Sequence, residues 1–143
     1  MNLAEQIRAQ LGAAALEVAE AGPGRVRVRV APGDLGAAAR ELCGRMGARL
    51  ADVAGTETRS AIELFYQFCF DSAGTVVTLE TGLPTAFPEI PSLAPELPAA
   101  LGPEREVRDM LGVAFRGHPD MRRLVLSDDW PEGIHPMRRK YRL

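Results

Sequence analysis

His118 and His135, with Asp120, Asp128 and Asp129 nearby in the chain, are of the types that hold a metal ion or pass a proton. Their spacing argues against both. No third ligand sits at a helical four-residue step, and no nucleophile is paired with either histidine. His118 followed by Pro119 reads instead as a residue that fixes a turn through ring-nitrogen hydrogen bonds. Cys43 and Cys69 stand 26 residues apart without a Cys-x-x-Cys or a neighbouring histidine. That is too few ligands for an iron–sulfur cluster and the wrong spacing for structural zinc, so they read as buried thiols. Arg25, Arg27 and Arg29 alternate with valines and could bind phosphate, although a solvated sheet face or a charged edge explains them as well. The glycines around Pro23 are not a phosphate loop, because no lysine–serine pair or helix start follows.

The densest charged stretch is Glu104-Arg105-Glu106-Val107-Arg108-Asp109, preceded by Gly102-Pro103 and closed by Gly112. Proline at the first helical position, an acid in the first turn and glycine past the end predict a short helix. Glu104 with Arg108 and Arg105 with Asp109 are four apart, the spacing of helix-surface ion pairs worth roughly 0.2–0.5 kcal/mol each. Val107, Met110 and Leu111 supply the face that such a helix would bury.

The elements around this helix follow from periodicity. Leu3, Ile7 and Leu11 form a helical stripe, residues 16–20 a short strand, and Gly22-Pro23-Gly24 a turn. Residues 25–30 are the cleanest alternation in the chain. Asp34 is a candidate N-cap for a second helix that buries Leu35, Ala38, Ala39, Leu42 and Met46. Residues 48–56 and 60–70 read as strands, with Ile62, Leu64, Tyr66, Phe68 and Phe70 on one face. Asp71–Gly74 is a hairpin turn, and residues 75–81 are the returning strand. Six of eleven prolines lie between Pro84 and Pro103, which predicts an extended connector with at most one helical turn near Ala94–Leu97. The expected fold is α+β: a small, mostly antiparallel sheet covered by helices, then a Pro-rich connector, a short helix and an irregular C-terminal tail. The corresponding division is a sheet domain over 1–83, a connector over 84–102, and a signature helix and docking tail over 103–143, in one compact domain overall.

With 143 residues, 46% apolar content and a net charge of −2, the chain is long enough for a real core and does not advertise nucleic-acid binding. Charge is uneven. Residues 1–103 carry eight basic and twelve acidic groups, whereas 104–143 carry nine and seven. A modestly basic tail on an acidic body suits a docking surface. Met1-Asn2-Leu3 does not begin a signal peptide, and no apolar run approaches eighteen residues, so a soluble cytoplasmic domain is expected. Arginine and tryptophan in irregular loops are also the types enriched in interface hot spots.

The stretch Glu104-Arg105-Glu106, Asp109-Met110-Leu111, Gly117-His118-Pro119-Asp120-Met121-Arg122-Arg123-Leu124-Val125, then Asp128-Asp129-Trp130 and His135-Pro136-Met137-Arg138, resembles the signature of one NADH-quinone oxidoreductase family. That family comprises the thirty-kilodalton subunit of respiratory complex I and relatives in membrane-bound nickel–iron hydrogenases. The resemblance implies a non-catalytic peripheral-arm subunit without cofactors of its own, on the cytoplasmic side of the cell membrane. Iron–sulfur, flavin or nickel–iron centres would belong to partner subunits. The implied partners are the large quinone-site or nickel–iron subunit and other peripheral-arm subunits, with no nucleic acid and with membrane contact only through the complex. In that reading Glu104, Arg105, Glu106 and Asp109 form buried or interfacial ion pairs. With His118, Arg122, Arg123, Asp129, Trp130, His135 and Arg138 they mark the subunit interface. The run Trp130-Pro131-Glu132-Gly133 and the end of the chain at Leu143 lean towards the hydrogenase branch. A free-standing basic-tailed module that binds anions or nucleic acid is the alternative.

Overall fold

The structure, a computed structural model, describes residues 1–141; Arg142 and Leu143, the end of the expected tail, lie outside the described residues. The chain divides into two compact units, Met1–Asp52 with Phe65–Thr81, and Val53–Leu64 with Gly82–Leu143. Seven strands and three α-helices are present among the described residues: α1 (Leu3–Leu11), β1 (Glu17–Gly22), β2 (Arg25–Arg29), α2 (Leu35–Arg40), β3 (Arg49–Glu57), β4 (Ile62–Phe70), β5 (Thr75–Leu83), β6 (Glu89–Pro91), α3 (Leu101–Leu111) and β7 (Ala114–Arg116). Five strands form a mixed, mostly antiparallel sheet in the order β1-β2-β5-β4-β3, in which β2 and β5 run parallel. The α+β architecture is the one expected.

In the first unit α1 begins where the Asn2 side chain accepts the Glu5 N–H at 2.8 Å. It buries Ala4, Ile7 and Leu11, and Gly12 ends it at a φ of 57°. The alternation of β2 is realised in full, with Val26 and Val28 buried and Arg25 and Arg27 exposed. Because β2 lies between β1 and β5, its arginines form a solvated face and not a guarded edge. Asp34 does not cap α2. Its backbone is already helical, and a tight Pro32–Asp34 turn leads into the helix without a side-chain cap. Past Arg40 the helix widens to five-residue hydrogen bonding, with the Met46 N–H donating to Glu41 O at 3.1 Å. Leu35, Ala38, Ala39 and Leu42 are buried in this unit, as are Tyr66, Phe68, Val77 and Leu79.

The second unit has its own core, in which Val53, Ile62, Leu64, Leu83, Ile90, Leu93, Val107, Leu111, Val113 and Phe115 are buried. Gly55 admits a close approach here. A Cβ at that position would lie 2.8 Å from Leu111 Cδ1 and 2.9 Å from Leu64 Cδ2. The Pro-rich stretch is more regular than its composition predicts. The expected turn is present, with the Leu97 N–H donating to Leu93 O at 2.8 Å. Glu89–Pro91 in addition pairs in parallel with β7, on the far side of α3. Proline is tolerated because Pro91 closes this strand, where its missing N–H costs no ladder bond. Helix α3 starts at Leu101, two residues before the expected first position, preceded by a tight Pro98–Ala100 turn. Pro103 still falls within the first turn, where backbone N–H groups have no helical partner.

Candidate functional site

Helix α3 is the hub of the second unit, and two of its three acids, Glu104 and Asp109, are buried. Glu104 shares the apolar face of Val107 and Leu111 and is fully buried. Its carboxylate accepts the Ser92 hydroxyl at 2.5 Å and the Leu93 N–H at 2.9 Å, which fastens the connector to the helix. Burial pushes the Glu104 carboxyl above its ordinary range, and the two hydrogen bonds and His118 only partly oppose this. Asp109, 1% exposed, accepts three successive backbone N–H groups on Oδ2: Leu124 and Val125 at 2.9 Å and Leu126 at 3.2 Å. Burial works to raise its pKa, but the three donors, with help from Arg108, outweigh it and hold the carboxyl below its usual value. The four-residue ion pairs expected on the helix surface therefore do not form. Glu104 is spent on the Ser92 hydroxyl and the Leu93 N–H, and Asp109 on three backbone donors of a distant loop. Arg105 makes the reciprocal contact, donating to the carbonyls of Arg122 and Arg123 at 2.8 Å each.

The other end of α3 is closed by the tail. An α-helix leaves its last four carbonyls without partners inside the helix. Here Arg108 O accepts the Gly112 N–H at 2.8 Å and Met110 O the Met137 N–H at 2.9 Å. Asp109 O accepts His135 Nδ1–H at 2.9 Å, and Leu111 O accepts the Arg138 guanidinium at 3.1 Å. Arg138 reaches further, to Glu57 at 3.1 Å and to the Thr85 carbonyl at 2.9 Å, while the Arg139 N–H also donates to Glu57 at 2.8 Å. That backbone donor, followed by Arg138, holds the Glu57 carboxyl below its ordinary pKa in spite of its burial. Glu57, Arg138 and His135 line a recess of about 560 Å³ with Thr85, Lys140 and Tyr141.

Gly112 has a φ of 77°, and an added Cβ would lie 2.6 Å from the His135 ring. Gly112→Ala therefore combines left-handed backbone strain with displacement of that ring. A stability loss of about 2 kcal/mol is expected, measured by a thermal melt followed through Trp130 fluorescence.

The remaining predicted residues also have definite places. His118 Nδ1 accepts the Asp120 N–H at 2.9 Å, which leaves the ring proton on Nε2 to bond the Leu101 carbonyl at 3.0 Å. The ring thus fixes a turn, as its neighbour Pro119 indicated. Nε2 also lies 3.9 Å from the Glu104 carboxylate. Asp120 grips Arg122 with both oxygens, at 2.8 and 2.7 Å, and this pair holds its pKa well below the carboxylate range. Arg123 ties the carbonyls of Ser127 and Asp128 and the carboxylate of Glu132 together. Asp129 accepts the Ser127 hydroxyl at 2.7 Å. Trp130 donates to Ile134 O at 2.8 Å and stacks on Tyr141, with ring centroids 6.4 Å apart. Glu106 alone of the helix acids is exposed. Among the described residues no group of three or more His, Cys, Asp or Glu is arranged to hold a metal ion. Ser92, Glu57 and Thr85 are partners that sequence reading missed. Glu57 falls between the strands expected over 48–56 and 60–70, and nothing local marks the Ser92 hydroxyl or the Thr85 carbonyl as a donor or acceptor for residues far along the chain.

The arrangement spends its charged side chains on ordering a ladderless tail and leaves apolar ones outside. Leu124 is 49% and Val125 54% exposed, although their backbone N–H groups are held by buried Asp109. Such a surface has the means to bind another protein. The model of the family described as respiratory-chain NADH dehydrogenase, 30 Kd subunit, matches residues 28–143, which contain every residue of this tail. The chain belongs to that family.

Proteins similar to this 30 Kd-type chain come from several kinds of complex. Hydrogenase-4 component G of Escherichia coli is 59% identical over 51 residues, 36% of this chain and 9% of that protein. An NADH-quinone oxidoreductase subunit of Moorella thermoacetica is 38% identical over 82 residues, covering 57% of this chain and 54% of the relative. The chain thus spans about a tenth of the first relative and about half of the second. A chain of the membrane-bound sulfane sulfur reductase, an archaeal respiratory membrane complex, superposes with a TM-score of 0.86 at 24% identity, covering 97% of this chain and 83% of that one. The 30 Kd-type fold is therefore shared with that complex. No helix among the described residues is long and apolar enough to cross a membrane.

Proposed function

We propose that this chain is a non-catalytic peripheral-arm subunit of an NADH-quinone oxidoreductase-like or energy-converting membrane-bound nickel–iron hydrogenase complex. It scaffolds the large subunit, quinone-site or nickel–iron, for electron transfer coupled to ion translocation. In this reading the flavin, iron–sulfur or nickel–iron centres sit in partner subunits, and the chain lies on the cytoplasmic side of the membrane, held there through the complex. Membership of the 30 Kd family supports the subunit role. The higher identity to a hydrogenase component than to an NADH-quinone oxidoreductase subunit favours the hydrogenase branch. The observation that carries the docking role is the exposed Leu124–Val125 pair, pinned from beneath by Asp109.

The test is purification of the tagged chain from its own membranes in mild detergent, followed by mass spectrometry. Recovery with a nickel–iron large subunit and antiporter-like membrane subunits would identify a hydrogenase. Recovery with flavin and NADH-oxidising subunits would identify complex I. Leu124→Asp with Val125→Asp is expected to cut recovery of the large subunit by about tenfold or more, since each aspartate places a charge in the apolar centre of the interface. The melting temperature of the isolated variant should stay close to that of the parent, because both side chains already face solvent. Unchanged recovery would remove the tail from the docking surface.

A further inference from the structure

The open face of the sheet in the first unit carries a second charged feature that the tail does not use. Strand register places side chains on this face in rows. In one row Glu17, Arg29 and Glu80 are neighbours across β1, β2 and β5, so acids flank the arginine on both sides. The next row sets Arg27 between Ala19 and Thr78, and the row beyond sets Arg25 beside Val76 and the Gly22 end of β1. Positive charge is thus concentrated at one end of the face. Arg27 has a side chain 54% exposed and, among the described residues, pairs only with Glu80, at 3.8 Å. Arg25 is exposed and has no ion-pair or hydrogen-bond partner among the described residues. The two guanidiniums border a recess of about 320 Å³ whose other walls include Ala21, Gln67, Val76 and Thr78. These small or uncharged side chains leave room for an incoming group and none of them neutralises the arginines.

We propose that the Arg25–Arg27 end of this face is a second docking surface, which takes a short acidic segment of a neighbouring subunit through carboxylate–guanidinium pairs. Charge complementarity carries the assignment. Residues 1–103 are acidic overall, with twelve acids against eight bases, so Arg25 without an acidic partner among the described residues and Arg27 with Glu80 at 3.8 Å stand out against their own surroundings. A polyanion laid along β2 would run from Arg25 onto Glu17 and Glu80, which repel it. A discrete pair of carboxylates needs only the basic end. Guanidinium forks suit such carboxylates better than they suit a hydrated spherical anion. This inference rests on the reading of the chain as one subunit of a larger complex, and it concerns a surface separate from residues 104–141.

The experiment uses the complex purified through the tagged chain. Arg25→Lys and Arg27→Lys keep the charge and supply amines that a zero-length carbodiimide joins to any carboxylate in contact. Mass spectrometry is expected to find positions 25 or 27 linked to an aspartate or glutamate of another subunit. Arg25→Gln with Arg27→Gln should lower recovery of that subunit about fivefold at low salt, a difference that narrows as salt screens the parent's own pairs. If partners are recovered but neither position is linked to one, the second surface is overturned while the proposed function stands. If the chain is recovered alone, both fall together. Binding of a short oligonucleotide by the isolated chain at physiological ionic strength, abolished in the Gln variant, would overturn the acidic-segment assignment in favour of a polyanion site.

Discussion

Asp109→Ala is expected to lower the unfolding free energy by about 3 kcal/mol. One buried oxygen holds three successive N–H groups, and alanine leaves all three without an acceptor where water reaches them only in part. Asp109→Asn keeps an acceptor oxygen without its charge and should recover a substantial fraction of the loss. Chemical denaturation of the three proteins at neutral pH measures both. The same carboxylate gives a signed pH dependence. Although burial raises its pKa, the three donors bring the folded value below the unfolded one. Its contribution is therefore present above the ordinary carboxylate pKa and is lost as pH falls through the lowered folded value. Glu104 acts oppositely. Burial raises its folded pKa, so its contribution is complete below the ordinary value and declines as pH rises through the raised one. On acidification the parent should lose stability faster than Asp109→Ala, and the gap between their melting temperatures should close.

Arg138→Ala is expected to cost about 2–4 kcal/mol and to release the end of the tail. The guanidinium donates to Glu57, Leu111 O and Thr85 O at once, joining β3, α3 and the start of the connector. Arg138→Lys should recover less than half of the loss, because an ammonium cannot reproduce three donors spread along a planar fork. Glu57 would keep the Arg139 N–H, so the loss is not that of a wholly unpaired buried charge. Trp130 reports on the outcome. It is the only tryptophan, and it stacks on Tyr141 three residues beyond Arg138, so a released tail should shift its emission to longer wavelength before the core melts.

The strands were the legible part of the sequence. Alternation fixes which side chain faces the core, and β2 and β4 follow it residue by residue. What the pattern could not show was that β2 would be an inner strand, because neighbours in the sheet are set by packing of distant segments. For the candidate site residues, the spacing pointed to partners at the wrong distance. Four-residue spacing directs attention to ion pairs on the helix surface. In the structure Glu104 reaches back twelve residues, Asp109 forward fifteen to seventeen, and Glu57 and Arg138 are 81 apart. For Glu104 a signal existed, since it shares a helical stripe with Val107 and Leu111 and so belongs on the buried side. Asp109 lies off that stripe. Its burial depends on loops whose course no periodicity encodes. β6 was hidden for a similar reason, because prolines mask a three-residue strand whose partner lies beyond a helix.

The closing of the α3 carbonyls by His135, Met137 and Arg138 makes the end of that helix and the tail a single cooperative unit in hydrogen exchange. Amides in the last turn of α3 and the Met137 amide should open together, at a free energy set by the tail and not by helix propensity. If a partner binds the exposed side of the tail, as proposed, it should slow exchange inside α3 at amides it never touches. Protection measured there would report occupancy of a surface on the other side of the loop.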